Sequence, residues 1–334
     1  NYFNITKEGN FEGSSIPNRI HASELNPDNE RVSRLCNYIY RYRQNRYQLH
    51  KDDKILTSWN SLMISAFAKA AIILQQSQYA DIAKWAVDFI NTKLTDEEGQ
   101  LYVRYRDGEA AHFGHLDDYA FFCQALLCVY DATFDIKYLK QAVDLVDKML
   151  LEFWDDINEG FFLTGNKSEE LIYRPKEVYD GATPSGNSVA GYVLQKIAHI
   201  TANPKYQEYA DKQLRFLAGQ VKDNPAGFCY SQLAFLNALY PSKEIVCVVS
   251  NKQDNTTTAK TVKRNPQENP EFDELKEYMA THYNPNMIVL VKTNENQEEL
   301  HKIASYVKDY HSLDDKTTYY VCEDYRCLTP THEL

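Results

Sequence analysis

The sequence of 334 residues predicts a mainly α-helical protein, part of an (α/α)6 toroid followed by a small α/β domain. Helical segments of two kinds, one-sided and apolar nearly all round, alternate along residues 31–240. Short strand-like insertions fall between them. After Pro241 the pattern changes to alternating strands and helices.

Taken in order, residues 31–47 carry Val32, Leu35, Ile39 and Tyr42 at helical spacing among Arg31, Arg34, Arg41 and Arg43, a one-sided helix. Residues 58–74 are different. Leu62, Met63, Ile64, Phe67, Ile72, Ile73 and Leu74, with Ala66, Ala68, Ala70 and Ala71, leave almost no polar face, so protein should surround this helix. Residues 79–94 are one-sided again through Ile82, Ala83, Ala86, Phe89 and Ile90, and 116–130 (LDDYAFFCQALLCVY) are apolar nearly all round. The alternation continues with 138–153 one-sided, 186–200 buried, 206–218 one-sided and 229–240 buried. It reads outer, inner, about four times, with inner helices beginning near 58, 116, 187 and 229. That describes helical hairpins set in a ring, inner helices lining the middle. A closed ring of this kind takes six hairpins, and the chain starts without Met, so the opening hairpins are expected upstream. A second copy of the chain, in a homodimer, is the other candidate to cover the open edge.

LYVRYRDGEAAHF (101–113) turns at Asp107-Gly108, a strong hairpin signal. EGFFLTGNKSEELIYR (159–174) reads as a second hairpin, turning around Gly165-Asn166. Beyond Pro241, strands are expected at 243–250, 286–292 and 317–323 and helices at 272–282 and 295–310, with a polar loop over 251–270. The expected domains are thus 1–241, the toroid portion, and 242–334, small and α/β, with a thioredoxin-like arrangement as one candidate.

Composition narrows the function classes. With 43% hydrophobic and 25% charged residues the chain has material for a large core. A net charge of −11 argues against nucleic acid and anionic membranes as partners. The longest apolar run, 62–74, is too short to span a bilayer and contains Lys69. Seven cysteines without a regular framework suit a reducing compartment, hence a cytoplasmic protein. Cys36, Cys123, Cys128 and Cys229 read as core filler in helices. Cys322 and Cys327 are too far apart for C-x-x-C, and no His/Cys pair completes a zinc site. A structural role is expected for them, with redox or metal use as the alternative. The sequence calls for neither metal nor cofactor. The 25 tyrosines read either as helix-packing surface or as rings that stack on a ligand.

Carboxylates gather at the starts of the inner helices. Asp52 and Asp53 precede the first, Asp117 and Asp118 open the second, and Glu177 and Asp180 precede the third. In a ring of parallel inner helices these ends form one rim. Converging acids are what glycoside chemistry requires, a proton donor and a base or nucleophile about 5 to 9 Å apart. The competing reading is helix capping, since Asp at an N-terminus satisfies free N–H groups and meets the positive end of the dipole. Trp59, Asn60, Tyr119, Arg104, His115, Arg174 and Lys176 lie near the same rim in this scheme. The aromatics are suited to stacking on sugars and the others to binding hydroxyls or a carboxylate. Packing and charge balance are their plainer roles. His199 lies about 18 Å down its helix from the rim, so a two-histidine epimerase is poorly supported.

DGATPSGNS (180–188) resembles a phosphate loop but fails as one. Asn187 replaces the lysine, Pro184 removes a donor, and no buried strand precedes it. It reads instead as a turn onto the rim, with Gly181 and Gly186 for the bend and Ser185 or Asn187 as a cap.

Three strings carry a family resemblance: DDKILTSWNSLMISAFAKA (52–70), GHLDDYAFFCQALLCVYDATFD (114–135) and LIYRPKEVYDGATPSGNSVAGY (171–192). With the closing YVCEDYRCLTP (320–330), the sequence resembles the thioredoxin-domain-containing, spermatogenesis-associated protein 20-like family. Ser61 departs from that family's pattern, which has Gly after Trp-Asn. The resemblance implies a toroid similar to six-hairpin glycosidases and N-acylglucosamine 2-epimerases. It also implies a thioredoxin-like domain in the full-length protein. Together these readings point to a carbohydrate or similar small polar ligand and a hydrolase in preference to an isomerase. Asp117 or Asp118 would act with Asp53 or Asp180; Trp59 and Tyr119 would stack; Asn60, Arg104, His115, Arg174, Lys176 and Glu177 would bind substrate. A non-catalytic toroid scaffold that binds a ligand or client is the alternative.

Overall fold

The computed structural model describes residues 2–20, 30–46, 50–168, 171–240, 242–250, 272–323 and 326–334. The chain divides into two compact units, Asn1–Asp53 and Lys54–Leu334. In the first, Asn10 knits a short loop: its side-chain amide donates to the carbonyls of Asn4 and Ile16 and accepts from Ile16 N. The helix α1 (Glu30–Gln44) follows, with none of its residues buried. Of the apolar positions read as its one-sided stripe, Leu35, Ile39 and Tyr42 are exposed and Val32 is half-buried.

The second unit begins with β1 (Ile55–Leu56) and the inner helix α2 (Thr57–Ile73). The outer helix α3 (Ser77–Lys93) then packs back on α2. Next come β2 (Tyr102–Arg106) and β3 (Glu109–Phe113), the hairpin legible in the sequence. Asp107 and Gly108 both adopt positive φ, as its tight turn requires, and β1 extends the pair to three antiparallel strands. The helices α4 (Leu116–Thr133), α5 (Ile136–Phe153), α6 (Gly186–Thr201), α7 (Pro204–Val221) and α8 (Cys229–Leu239) complete the layer. Inner helices pack in the order α2, α4, α6, α8, while α3, α5 and α7 sheathe them. Helix starts follow local chemistry: Asp135 caps α5, Ser185 caps α6, and Asn203 caps α7 with Pro204 in its first turn.

Position in the row decides burial. The α4 and α6 helices are buried nearly all round. The α2 helix, read as surrounded, leaves Trp59, Met63 and Ile73 exposed, and α8 leaves Leu236 and Leu239. A helix at the end of a row has one inner neighbour instead of two.

The expected second hairpin, 159–174, is not a strand pair among the described residues. Only a bridge from Trp154 to Phe161 forms. Main-chain groups of the segment are engaged elsewhere: the Asn187 side chain accepts from Phe161 N–H at 2.9 Å and donates to its carbonyl at 2.9 Å, and Phe162 N donates to the Phe153 carbonyl. Among the cysteines read as core filler, Cys123 and Cys128 are buried, but Cys36 and Cys229 are exposed.

After α8 come β4 (Lys243–Val248), α9 (Asp273–Thr281), β5 (Ile288–Lys292), α10 (Gln297–Ile303), β6 (Thr318–Glu323) and β7 (Arg326–Cys327). The loop expected at 251–270 lies outside the described residues. The sheet order is β5-β4-β6-β7, with β4 and β5 parallel and the other pairs antiparallel. One face of β4, Ile245 and Cys247, packs with Phe272, Leu275 and Met279. The other, Val246 and Val248, joins the core of the helical layer. The single helix expected over 295–310 breaks after Ile303, and a 3-10 turn covers Ser305–Asp309. The buried Lys292 ammonium accounts for the break, because it draws the carbonyls of Val307, Lys308 and Tyr310 at 2.9, 3.0 and 2.7 Å. Cys322 and Cys327 face each other across β6 and β7 and form a disulfide.

Candidate functional site

The four inner helices present their N-termini at one rim, and hydrogen bonds tie each N-terminus to the next. Asp118, in the first turn of α4, accepts from Ser58 N of α2 at 2.9 Å and from His115 N at 2.9 Å. Its neighbour Asp117 reaches the other way and accepts from Gly186 N–H at the start of α6. No side chain fits at 186, where a Cβ would sit 2.8 Å from Leu116 Cγ. Ser188 Oγ of α6 bonds Ser231 Oγ of α8 at 2.8 Å. Asp180 accepts from Ser185 N at 2.8 Å and from Tyr230 N at 2.7 Å, joining the starts of α6 and α8. Successive carboxylates on one helix end thus serve two flanking helices.

These bonds separate the acids by role. Asp118 is 2% exposed, and each of its oxygens meets a main-chain N–H. Burial nevertheless pushes its carboxyl up to about 7 against the pull of those donors. Asp180 likewise has both oxygens on main-chain donors. Asp117 is half-buried and faces Glu177; burial first, then the Glu177 charge, raise its carboxyl to about 6. Glu177 is exposed. His115 lies beside it, its imidazole pushed below its usual value by burial and by His112, with Glu177 opposing. Asp117, Glu177, His115 and His112 therefore form the electrostatically connected group at this rim. Asp53 belongs to the first unit and is exposed there.

The other expected ligands divide. Trp59 stands 64% exposed in the first turn of α2. Arg104 is half-buried on β2, opposite Leu56. Asn60 spends its amide on the Leu56 carbonyl at 2.8 Å. Tyr119 is not a stacking surface: it is 1% exposed, packs on Phe153, and its hydroxyl donates to Gln100 Oε1 and accepts from Leu101 N. Arg174 is a loop clamp whose guanidinium donates to the Thr164 carbonyl and Asn166 Oδ1 and lies over the Phe162 ring. Lys176 also faces away from the acids. It pairs with Asp155 at 2.7 Å and sits over Phe162 and Phe216. Burial works to raise the Asp155 carboxyl, but Lys176 and the N–H groups of Ile157 and Asn158 outweigh it and hold the group well below the usual range.

Sequence reasoning missed His112 and Tyr179. His112 holds a left-handed φ of 61°, and Tyr179 presents an exposed ring beside Gly227, just ahead of α8. The Asp107-Gly108 hairpin that positions His112 was the available signal. The 180–188 turn is now explicit: Ser185 caps α6, accepting from Ser188 N at 3.1 Å, while the fully buried Asn187 holds the Phe161 and Glu177 main chain.

A row of helical hairpins with parallel inner helices and a shared N-terminal rim is the architecture of an αα-toroid, here in part. The sequence is similar to spermatogenesis-associated protein 20 of Homo sapiens, 24% identical over 358 residues, covering 98% of this chain and 44% of that protein. The chain spans less than half the length of the curated relatives it matches. No protein-family model matches it. Among solved structures it is similar to cellobiose 2-epimerase from Bacillus thermoamylovorans, with a TM-score of 0.46, 13% identity, and 84% of this chain and 67% of that one covered. A family 76 glycoside hydrolase (mannosidase) from Bacteroides thetaiotaomicron gives a TM-score of 0.44 at 18% identity, covering 51% and 45%. Among the described residues no helix is long and apolar enough to cross a membrane.

Proposed function

We propose that the rim binds a carbohydrate and acts on it by acid–base chemistry, as a glycoside hydrolase in preference to a sugar isomerase. The observation that carries this is the Asp117–Glu177 pair. Burial first, then the Glu177 charge, hold Asp117 at about 6, so it retains protons close to neutrality, as a general acid must. Exposed Glu177 is the base or nucleophile of the pair. Trp59 and Tyr179 supply open ring faces for a sugar, and Arg104 a cation for its hydroxyls or carboxylate. Asp118 and Asp180 act as positioning residues, holding the helix ends from which Asp117 and the 177–180 segment project. Epimerisation through paired histidines is disfavoured, because His199 sits in the last turn of α6 while His115 is at the rim.

The test is a sugar panel, including uronic acids, read by thermal shift and by release of reducing ends. Asp117→Asn and Glu177→Gln should each abolish turnover while leaving binding measurable. Turnover that persists in both variants would remove these residues from the chemistry. A second reading, a non-catalytic scaffold for a ligand or for a thioredoxin-like domain of the full-length protein, is favoured by the commitment of Asp118 and Asp180 to main-chain donors. It expects no sugar turnover in the wild type and partner binding unchanged by Asp117→Asn.

A further inference from the structure

A cleft opens at the opposite end of the inner helices, about 20 Å from the rim at 1.5 Å per residue between Asp117 and Asp131 on α4. It is walled by the C-terminal halves of α2, α4 and α6 and closed over by α9 and the segment leading into β5. Most of its lining is apolar: Ile72, Leu127, Ile200, Met279 and Ile288 are typical. Three charged side chains, Lys69 of α2, Asp131 of α4 and Lys196 of α6, break that surface.

Their arrangement is not a closed ion pair. Both lysines lie close enough to Asp131 to lower the cost of its ionisation. Yet neither ammonium forms a salt bridge with it among the described residues. Lys196 has one hydrogen bond, to the Met287 carbonyl at 2.6 Å, which leaves two of its protons for something else. Asp131 and Lys69 make no hydrogen bond among the described residues. Charges set in an apolar wall without mutual contact are costly to keep, because desolvation is not repaid by pairing. Burial accordingly lowers the Lys196 ammonium and raises the Asp131 carboxyl to about 6. Two cations against one acid leave an excess positive charge facing an apolar cavity, and the chemistry that matches is one anionic group on an apolar body.

We propose that this cleft is a binding site for a small organic monocarboxylate with a branched or aromatic body, its carboxylate seated on Lys69 and Lys196. The body lies against Ile72, Leu127, Met279 and Ile288. Tyr192 and Tyr283 border the seat; the Tyr192 hydroxyl is already turned to the Pro285 carbonyl at 3.3 Å. Asp131 competes with the ligand for the two ammonium groups, so removing its charge strengthens binding.

The experiment is calorimetric titration of this chain with 4-methylpentanoate and with phenylacetate, against 4-methylpentanamide and isopentylamine as neutral and cationic counterparts. Both carboxylates should saturate, with the amide and the amine at least about tenfold weaker, a difference of roughly 1.4 kcal/mol. Lys196→Met and Lys69→Met should each weaken carboxylate binding about tenfold or more, and Asp131→Asn should tighten it. Ile73→Trp, at an exposed position on the cleft's lip, should block binding with all three charges intact and guards against a lysine variant that fails to fold. Amide binding as tight as carboxylate binding, no saturation by either carboxylate up to about 10 mM, or Ile73→Trp without effect would each overturn the proposal.

Discussion

The two ends of the inner-helix layer use charge in opposite ways. At the N-terminal rim, Asp117, Asp118 and Asp180 are tied to main-chain N–H groups that no helix can satisfy internally. At the C-terminal end, Lys69 and Asp131 form no hydrogen bond with the described residues, and Lys196 forms one. The difference teaches that a charged residue on a buried helix is not by itself a functional residue. What separates structural from functional charge is whether its bonding capacity is already filled. By that measure Asp118 and Asp180 are architecture, Asp117 and Glu177 are the carboxylates proposed for chemistry, and the cleft at the other end is the proposed ligand site.

The largest expected effect comes from breaking the rim. Asp180→Ala strands the N–H groups of Ser185 and Tyr230 and should cost about 3 kcal/mol in urea denaturation. A loss under about 1 kcal/mol would show that the rim bonds are incidental. At the other end, Lys69→Met removes a charge without a hydrogen bond and should change stability by less than about 1 kcal/mol. A large loss there would mean that the lysine supports the fold and would weaken the contrast.

A finer effect lies in pH. The folded Asp117 and Asp118 carboxyls, at about 6 and about 7, lie above the ordinary 3.8, so the native state holds protons that the unfolded chain has released. Their contribution is full below 3.8 and is lost as pH rises through 6 and 7. Stability attributable to them therefore falls across that window, and Asp117→Asn should flatten the lower part of the slope. Denaturation midpoints at three pH values in that window read this directly.

Much of the fold was legible because hydrophobic period and capping chemistry are local. The inner helices begin at Thr57, Leu116, Gly186 and Cys229, close to where the apolar runs predict. Neighbours are not local, and there the sequence was silent. Residues 58–74 and 116–130 read alike, yet only α4 is wrapped on all sides, because α2 stands at the end of the row. Arg174 and Lys176 sit within three residues of Glu177 in sequence, but they turn to Phe162 and Asp155 while Glu177 faces Asp117. The tandem acids at 117 and 118 were visible as a pair. That each serves a different flanking helix depends on parallel packing, which no window of sequence contains.

The most direct test of this account compares Asp117→Asn with Asp118→Asn by urea denaturation at pH 7. An amide at 118 must set its NH2 against a main-chain N–H donor, so Asp118→Asn should lose about 2 kcal/mol. An amide at 117 can still accept from Gly186 through its carbonyl and no longer repels Glu177, so Asp117→Asn should be as stable as the wild type or more so. Equal losses at the two positions, or a larger loss at 117, would contradict the division of the rim into structural and working carboxylates.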